Sequence, residues 1–197
     1  MRHAHAPLLA VAVAALAGCD QPLLSARIEV PEVRIVEPAK EFPAASVDPA
    51  FACSFLAAAT GRSCAAQKVA YDVGGEVPGM NEKGVSTDLR LTDVALHLTA
   101  GGASDLGGVT RAQINLKNPV TGAPTRVASY VRPAGGAAPT SIAVSGASNL
   151  DLSPWLQSGK LNAQVEVEMD PLMLPSGFTA SIEAGFSVVI TVDYRSL

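Results

Sequence analysis

The sequence predicts an all-β chain: an antiparallel β-sandwich of about eight strands, immunoglobulin-like or jelly-roll in type, with one short disulfide-closed helical excursion. Three observations predict it. Every even position from Phe178 to Tyr194 is apolar, and of the odd positions between them only Val189 is a large apolar residue. That two-residue period marks a strand with one buried and one wet face. Shorter runs of the same period recur from Val69 onward, separated by Gly, Pro and Asn turn signals, and no long segment carries a 3.6-residue period. A closed barrel fits this pattern too. An outer-membrane barrel does not, because it should carry aromatic girdles at both ends, and the one Trp, three Tyr and five Phe are scattered.

The N-terminal residues stand apart from the strand pattern. Arg2 precedes an apolar, Ala-rich stretch over Leu8 to Leu16, and Leu16-Ala17-Gly18-Cys19 follows at once. This order is that of a secretory signal peptide. The apolar stretch has about half the roughly twenty residues that a membrane-spanning helix needs. Leu16-Ala17-Gly18-Cys19 resembles the lipobox of bacterial lipoproteins. The resemblance implies cleavage before Cys19, a diacylglyceryl group on its thiol and acylation of its new amino group. Several acyl chains on one residue anchor stably where a single chain binds only marginally. The expected organisation is a cleaved leader over 1–18, a lipidated tether over 19–25 and a single β-sandwich domain over 26–197. Asp20 bears on retention at the inner membrane in some lineages, and inner versus outer membrane stays open. The plan of lipobox, short tether and β-sandwich is also similar to uncharacterised bacterial envelope lipoproteins.

Ile28 and Val30 lie in one phase and Val33 and Ile35 in the other, with Pro31 between them, which predicts a bulged edge strand. Cys53 and Cys64 remain as an even pair once Cys19 is acylated, in an exported chain where disulfides persist, and are expected to bond. A short helix is expected in this excursion, begun at Asp48-Pro49 before Cys53 and ended at Gly61 before Cys64. Val69, Tyr71 and Val73 alternate until Gly74-Gly75 breaks the run. Leu89 and Leu91 share one phase and Val94, Leu96 and Leu98 the other, so a bulge is expected at Thr92-Asp93. Thr110 to Leu116 alternates and ends at Asn118-Pro119. Arg126 to Val131 is a weaker strand whose buried phase stays open. Ile142 with Val144, and Leu150 with Leu152, read as short strands. Ser153-Pro154 reads as a helical cap with Gly159 as its stop, and Trp155 as a plug for the sandwich end. Leu161 to Met169 alternates apolar against Lys160, Asn162, Gln164, Glu166, Glu168 and Asp170. The C-terminal run would extend roughly 56 Å, so a bend is expected near Gly185 without an inserted residue, since its phase never changes.

Chemistry has few footholds. His3 and His5 fall in the leader, leaving His97, on the polar phase of its strand, for any Ser-His-acid arrangement or metal site. No phosphate-binding Gly-Lys-Ser/Thr loop and no Gly-x-Ser-x-Gly elbow occurs. Gln164, Glu166, Glu168 and Asp170 make a row of acceptors, read as a solvated face paired with Arg111, Lys117, Arg126 or Lys160 rather than a Ca²⁺ site. The net charge of −4 argues against nucleic acid. The expectation is a cell-envelope lipoprotein that is not an enzyme, has no catalytic, metal or cofactor residues, and is joined to its membrane through Cys19. Its sandwich, through loops such as Gly74–Val85 and Ala134–Thr140, would bind an envelope protein or polymer. A hydrolase using carboxylates or His97, and a lipid-carrying sandwich, are the alternatives.

Overall fold

The computed structural model of the protein describes residues 25–44, 53, 62–80, 82–99, 102–147 and 149–193. Cys19, the tether before Ser25, the expected helix from Asp48-Pro49 to Gly61 apart from Cys53, and Tyr194 lie outside the described residues. Among the described residues nine strands form two antiparallel sheets: β1 (Ser25–Phe42), β2 (Ser63–Asp72), β3 (Val85–Leu98), β4 (Val109–Lys117), β5 (Pro124–Val131), β6 (Ser141–Ser145), β7 (Leu156–Gln157), β8 (Lys160–Met169) and β9 (Phe178–Asp193). One sheet has the order β1-β9-β3-β6. The other has the order β2-β8-β4-β5, with β7 beside the start of β8. The all-β sandwich is as expected. Its two sheets touch at one seam, where Ala128 bridges Gly146 and the Ala147 N–H donates to Val127 O at 2.9 Å. At the opposite seam the Gln67 side-chain amide donates to Glu41 O.

β9 is the spine of the four-stranded sheet. Its even positions from Phe178 to Ile190 are all buried, with Ile182, Ala184 and Phe186 fully so. Apolar burial on one face of a strand contributes about 25 cal/mol per Å² removed from water, enough to hold a long strand in one register. β9 runs through Gly185 as one strand with no inserted residue, and the register shifts fall in its neighbours. β1 shifts register between Val30 and Val33, and β3 between Leu91 and Asp93, so that Arg34 and Asp93 flank Gly185 from opposite sides. Both bulges lie where the phase flips in the sequence. A Cβ on Gly185 would come within 2.7 Å of Thr92 Oγ1 and 3.0 Å of Asp93 Oδ2, so the side chains of the β3 bulge pack closely over this glycine.

Several local expectations are corrected. Leu150 and Leu152 form no strand; Leu150 N–H closes a turn on Ala147 O, and Leu152 N–H reaches Leu89 O. Ser153 does not cap the 3-10 turn Ser153–Trp155, whose N-cap is Leu152. Its hydroxyl instead donates to Asp151 at 2.8 Å, because Asp151 also accepts the Ser153 and Leu89 N–H groups and is the stronger local acceptor. Gly159 stops no helix: Ser158 and Gly159, both at positive φ, make the two-residue β7–β8 hairpin turn. The undecided phase of β5 has a cause in a bulge opposite Ile114 and Asn115, which leaves Val127 and Ala128 both buried. A four-residue helix, α1 (Val73–Glu76), follows β2, capped by the Asp72 carboxylate on Gly75 N–H at 3.0 Å.

Candidate functional site

The outer face of the five-stranded sheet is the most elaborated surface among the described residues. Register places Cys64, Ala66, Lys68 and Ala70 of β2 beside Glu168, Glu166, Gln164 and Asn162 of β8, and Gln113 and Asn115 of β4 beside Glu166 and Gln164. Cross-strand partners share a face. The inner phase of these strands (Val69, Tyr71, Leu161, Val165, Val167, Ile114, Leu116) fills the core, so the polar phase points away from it.

That polar phase is not uniformly solvated, which corrects the expected row of exposed acceptors. Glu166 is 2% exposed and Glu168 3%. Glu166 accepts from the side-chain amides of Gln113 at 2.9 Å, Asn115 at 2.9 Å and Gln164 at 3.0 Å. Glu168 accepts from the Arg62 guanidinium at 2.7 Å and from the Thr110 hydroxyl. Of the cations expected opposite this row, Arg111 acts on Glu168 through its charge, while Lys160 turns instead to Asp72 at 4.0 Å. Cys53 is bonded to Cys64, the cross-strand neighbour of Glu168, with Cα atoms 6.0 Å apart, so the disulfide sits at this end of the face. Buried carboxylates are tolerated only with their lone pairs satisfied, which the amides and Arg62 provide.

Burial raises the affinity of Glu168 for its proton, but the Thr110 and Arg62 hydrogen bonds outweigh it and hold the carboxyl below its ordinary range. A carboxyl with a folded-state pKa below its unfolded value stabilises the fold above the unfolded value. That contribution is lost as pH falls through the folded value. Between about pH 5 and about pH 3, in denaturant titrations, the native protein should therefore lose more stability than the Glu168→Gln variant. Equal losses would show that the Arg62 and Thr110 contacts do not favour the charged form.

The other end of the face is open. A cleft of about 1140 Å³ is lined by Lys68, Asn115, Lys117, Asn162, Gln164 and Glu166 of the sheet. Glu37 and Lys40 of β1, the 118–122 turn, Gln157 and Trp155 complete its walls. The turn is shaped by the Asn118 carboxamide oxygen, which accepts from Val120 and Thr121 N–H at 2.9 and 3.0 Å. Trp155 packs partly on the core, as expected of a plug, and also walls the cleft. Its indole N–H is buried and has no acceptor among the described residues.

The loops expected to bind emerge at opposite ends of this sheet. The 74–85 segment follows Asp72, which pairs with Lys160. The 134–140 segment follows Val131, which pairs with Arg111 and so lies at the Glu168 end. The first is partly core, since Val77 and Met80 are buried.

His97 lies on the outer face of the other sheet, half-exposed as expected of its phase. The structure brings to it two residues that sequence spacing could not. Ser141 Oγ is 3.1 Å from its Nδ1, and Glu183 Oε2 is 3.7 Å from its Nε2. Glu183 also accepts from Arg34 at 2.8 Å, and Arg34 reaches Asp93 and Glu32. No cluster of three His, Cys, Asp or Glu able to hold a metal occurs among the described residues, and no helix among them is long and apolar enough to cross a membrane. The chain matches no family model, no curated protein and no solved structure.

Proposed function

We propose that the chain is a lipid-anchored cell-envelope protein whose sandwich acts as a non-catalytic binding module, holding its partner in the cleft on the outer face of the five-stranded sheet. The cleft carries this reading. It is concave, walled by residues of six strands and a preformed turn, and floored by amides and charged groups rather than by a nucleophile with its base. The anchor rests on Leu16-Ala17-Gly18-Cys19. β1 opens at Ser25, so a tether from Cys19 spans roughly 20 Å at most. The partner is then an envelope protein or polymer lying close to the same membrane.

The Cys19→Ala variant tests the anchor: it should leave the detergent phase and appear in the aqueous phase of a fractionated envelope, while the native chain stays with detergent and carries an acylated N-terminal cysteine by mass spectrometry. A variant still wholly in detergent refutes the anchor. Crosslinking in the intact envelope should capture a near-membrane partner, and that capture should be lost with Cys19→Ala.

The Ser141–His97–Glu183 row favours a second reading, an envelope hydrolase. Such a row needs the acid to orient the imidazole and an oxyanion site facing the nucleophile. Here Glu183 is shared with Arg34, the gap to His97 is longer than a hydrogen bond, and the residues lie on an exposed sheet face. The binding reading predicts that a fluorophosphonate probe leaves Ser141 unmodified at neutral pH. Stoichiometric labelling of Ser141 that disappears in His97→Ala would establish the hydrolase instead.

A further inference from the structure

Building on the binding-module reading, we propose that the cleft takes an anionic polysaccharide, a sugar chain bearing carboxylate or phosphate groups. Three features of the same surface point to it. The first is charge. Arg27, Arg34, Arg62, Arg90 and Lys160 each lie within 4.0 Å of a carboxylate. Lys40, Lys68 and Lys117 line the cleft and, like Lys83, Arg111, Arg126 and Arg132, have no such partner among the described residues; Lys68 and Lys117 are exposed. Arg126, across from Asn115 on β5, adds a cation to the same face. Of the two carboxylates at the cleft, Glu166 is buried and engaged by three amides, which leaves Glu37 as the acid with solvent access. A chain with net charge −4 thus presents unpaired cations in its cleft, and walls of one sign raise the local concentration of the opposite one.

The second feature is the kind of neutral group between the lysines. Asn162, Gln164, Asn115 and Gln157 line the cleft, from β8, β4 and β7. A carboxamide both donates and accepts, which suits hydroxyls that do the same. Asn162 and Gln164 are successive outward residues of β8, about 6.6 Å apart, so amides recur along a chain laid parallel to that strand. The third is Trp155, the one aromatic residue in the cleft wall, a residue type whose apolar ring can pack on the C–H face of a pyranose.

An acidic polypeptide fits less well. Peptides that bind sheets use an unpaired strand edge for backbone hydrogen bonds. The cleft instead lies over the face of β8 and β4, whose backbone groups are paired with β2, β5 and each other.

The test uses the full chain in detergent and three probes: polygalacturonate (an anionic polysaccharide), dextran (a neutral one) and poly-glutamate (an acidic polypeptide). Polygalacturonate should bind at least tenfold more tightly than either of the others at low salt, and less tightly as salt rises. The Lys68→Glu/Lys117→Glu double variant should lose at least tenfold in that affinity. An Arg27→Glu/Lys83→Glu variant, with the same change in charge away from the cleft, should bind as the native chain does. Asn162→Ala removes an exposed amide from the sheet surface without touching the core or the donors of Glu166, and should weaken polygalacturonate severalfold at unchanged melting temperature. Poly-glutamate binding as tightly as polygalacturonate, dextran binding as tightly, no measurable polygalacturonate binding, or indifference to the Lys68/Lys117 reversal would each overturn the proposal. If it fails while envelope crosslinking still captures a Cys19-dependent partner, the binding-module reading stands with a different ligand. If crosslinking captures nothing either, both fall.

Discussion

Replacing Phe186 with alanine is expected to destabilise the protein by about 3–5 kcal/mol, the usual cost of emptying a buried aromatic site. Phe186 is fully buried on β9, edge-on to Tyr71 from the opposing sheet at 5.7 Å between ring centroids. It sits where β1 and β3 both change register, paired with Val33 and Leu91. The site is therefore held from three strands of one sheet and one strand of the other, and has little freedom to collapse around a cavity. For a chain of this length each kcal/mol lowers the melting temperature by about 2–4 °C, so a fall of roughly 6–20 °C should be seen by calorimetry. Thr191→Ala, on the opposite phase of the same strand, should change stability by no more than about 0.5 kcal/mol. Similar losses from the two substitutions would show that the inward face has been misassigned.

Gly177→Ala is expected to do comparable damage from a position outside any strand. Gly177 has φ +74°, and a Cβ there would fall against the carbonyl oxygen of Phe42 and within 2.8 Å of Ala44 N and Pro43 Cα. All three are backbone atoms, so no side chain can rotate out of the way. The left-handed conformation costs a non-glycine residue about 1–2 kcal/mol, and overpacking against fixed atoms adds about 1–3 kcal/mol. The end of β1 would have to leave β9, breaking the stacked pair of Phe42 and Phe178, whose ring centroids are 4.9 Å apart. Gly135→Ala separates the two contributions: Gly135 has φ +72° with nothing within 4 Å of its Cβ position. That variant should lose about 1–2 kcal/mol. If Gly177→Ala costs no more than Gly135→Ala, the close approach of β1 carries no penalty.

Some tertiary detail was legible because it leaves a local trace. A bulge inverts the phase of apolar residues, so the irregularities at Pro31 and at Thr92-Asp93 could be read directly, and β9 could be read as unbulged. Cys53 and Cys64 could be paired by elimination. Where two opposed preferences overlapped, the local reading failed: Ser153 is a good cap residue, but Asp151 beside it accepts three donors and sets the conformation. The apolar pair Leu150 and Leu152 suggested a strand, yet Leu152 is buried by a turn that docks on Leu89.

By itself the sequence determined the class of fold, the inward face of nearly every strand, and the scarcity of groups for catalysis, because alternation and composition are properties of the chain at short range. It could not determine which strands lie side by side. Only the β4–β5 and β7–β8 connections are hairpins within one sheet; the others cross between sheets. Nor could it show what the outward face does. Alternation says that Glu166 points away from the core, but its burial depends on Gln113 and Asn115, which are 53 and 51 residues away in the chain. Glu168 depends in the same way on Arg62, 106 residues away. The cleft and the Ser141–His97–Glu183 row arise likewise from strands made neighbours by packing. Sequence period encodes which side of a strand avoids water, whereas a site is made by what the fold sets opposite the other side.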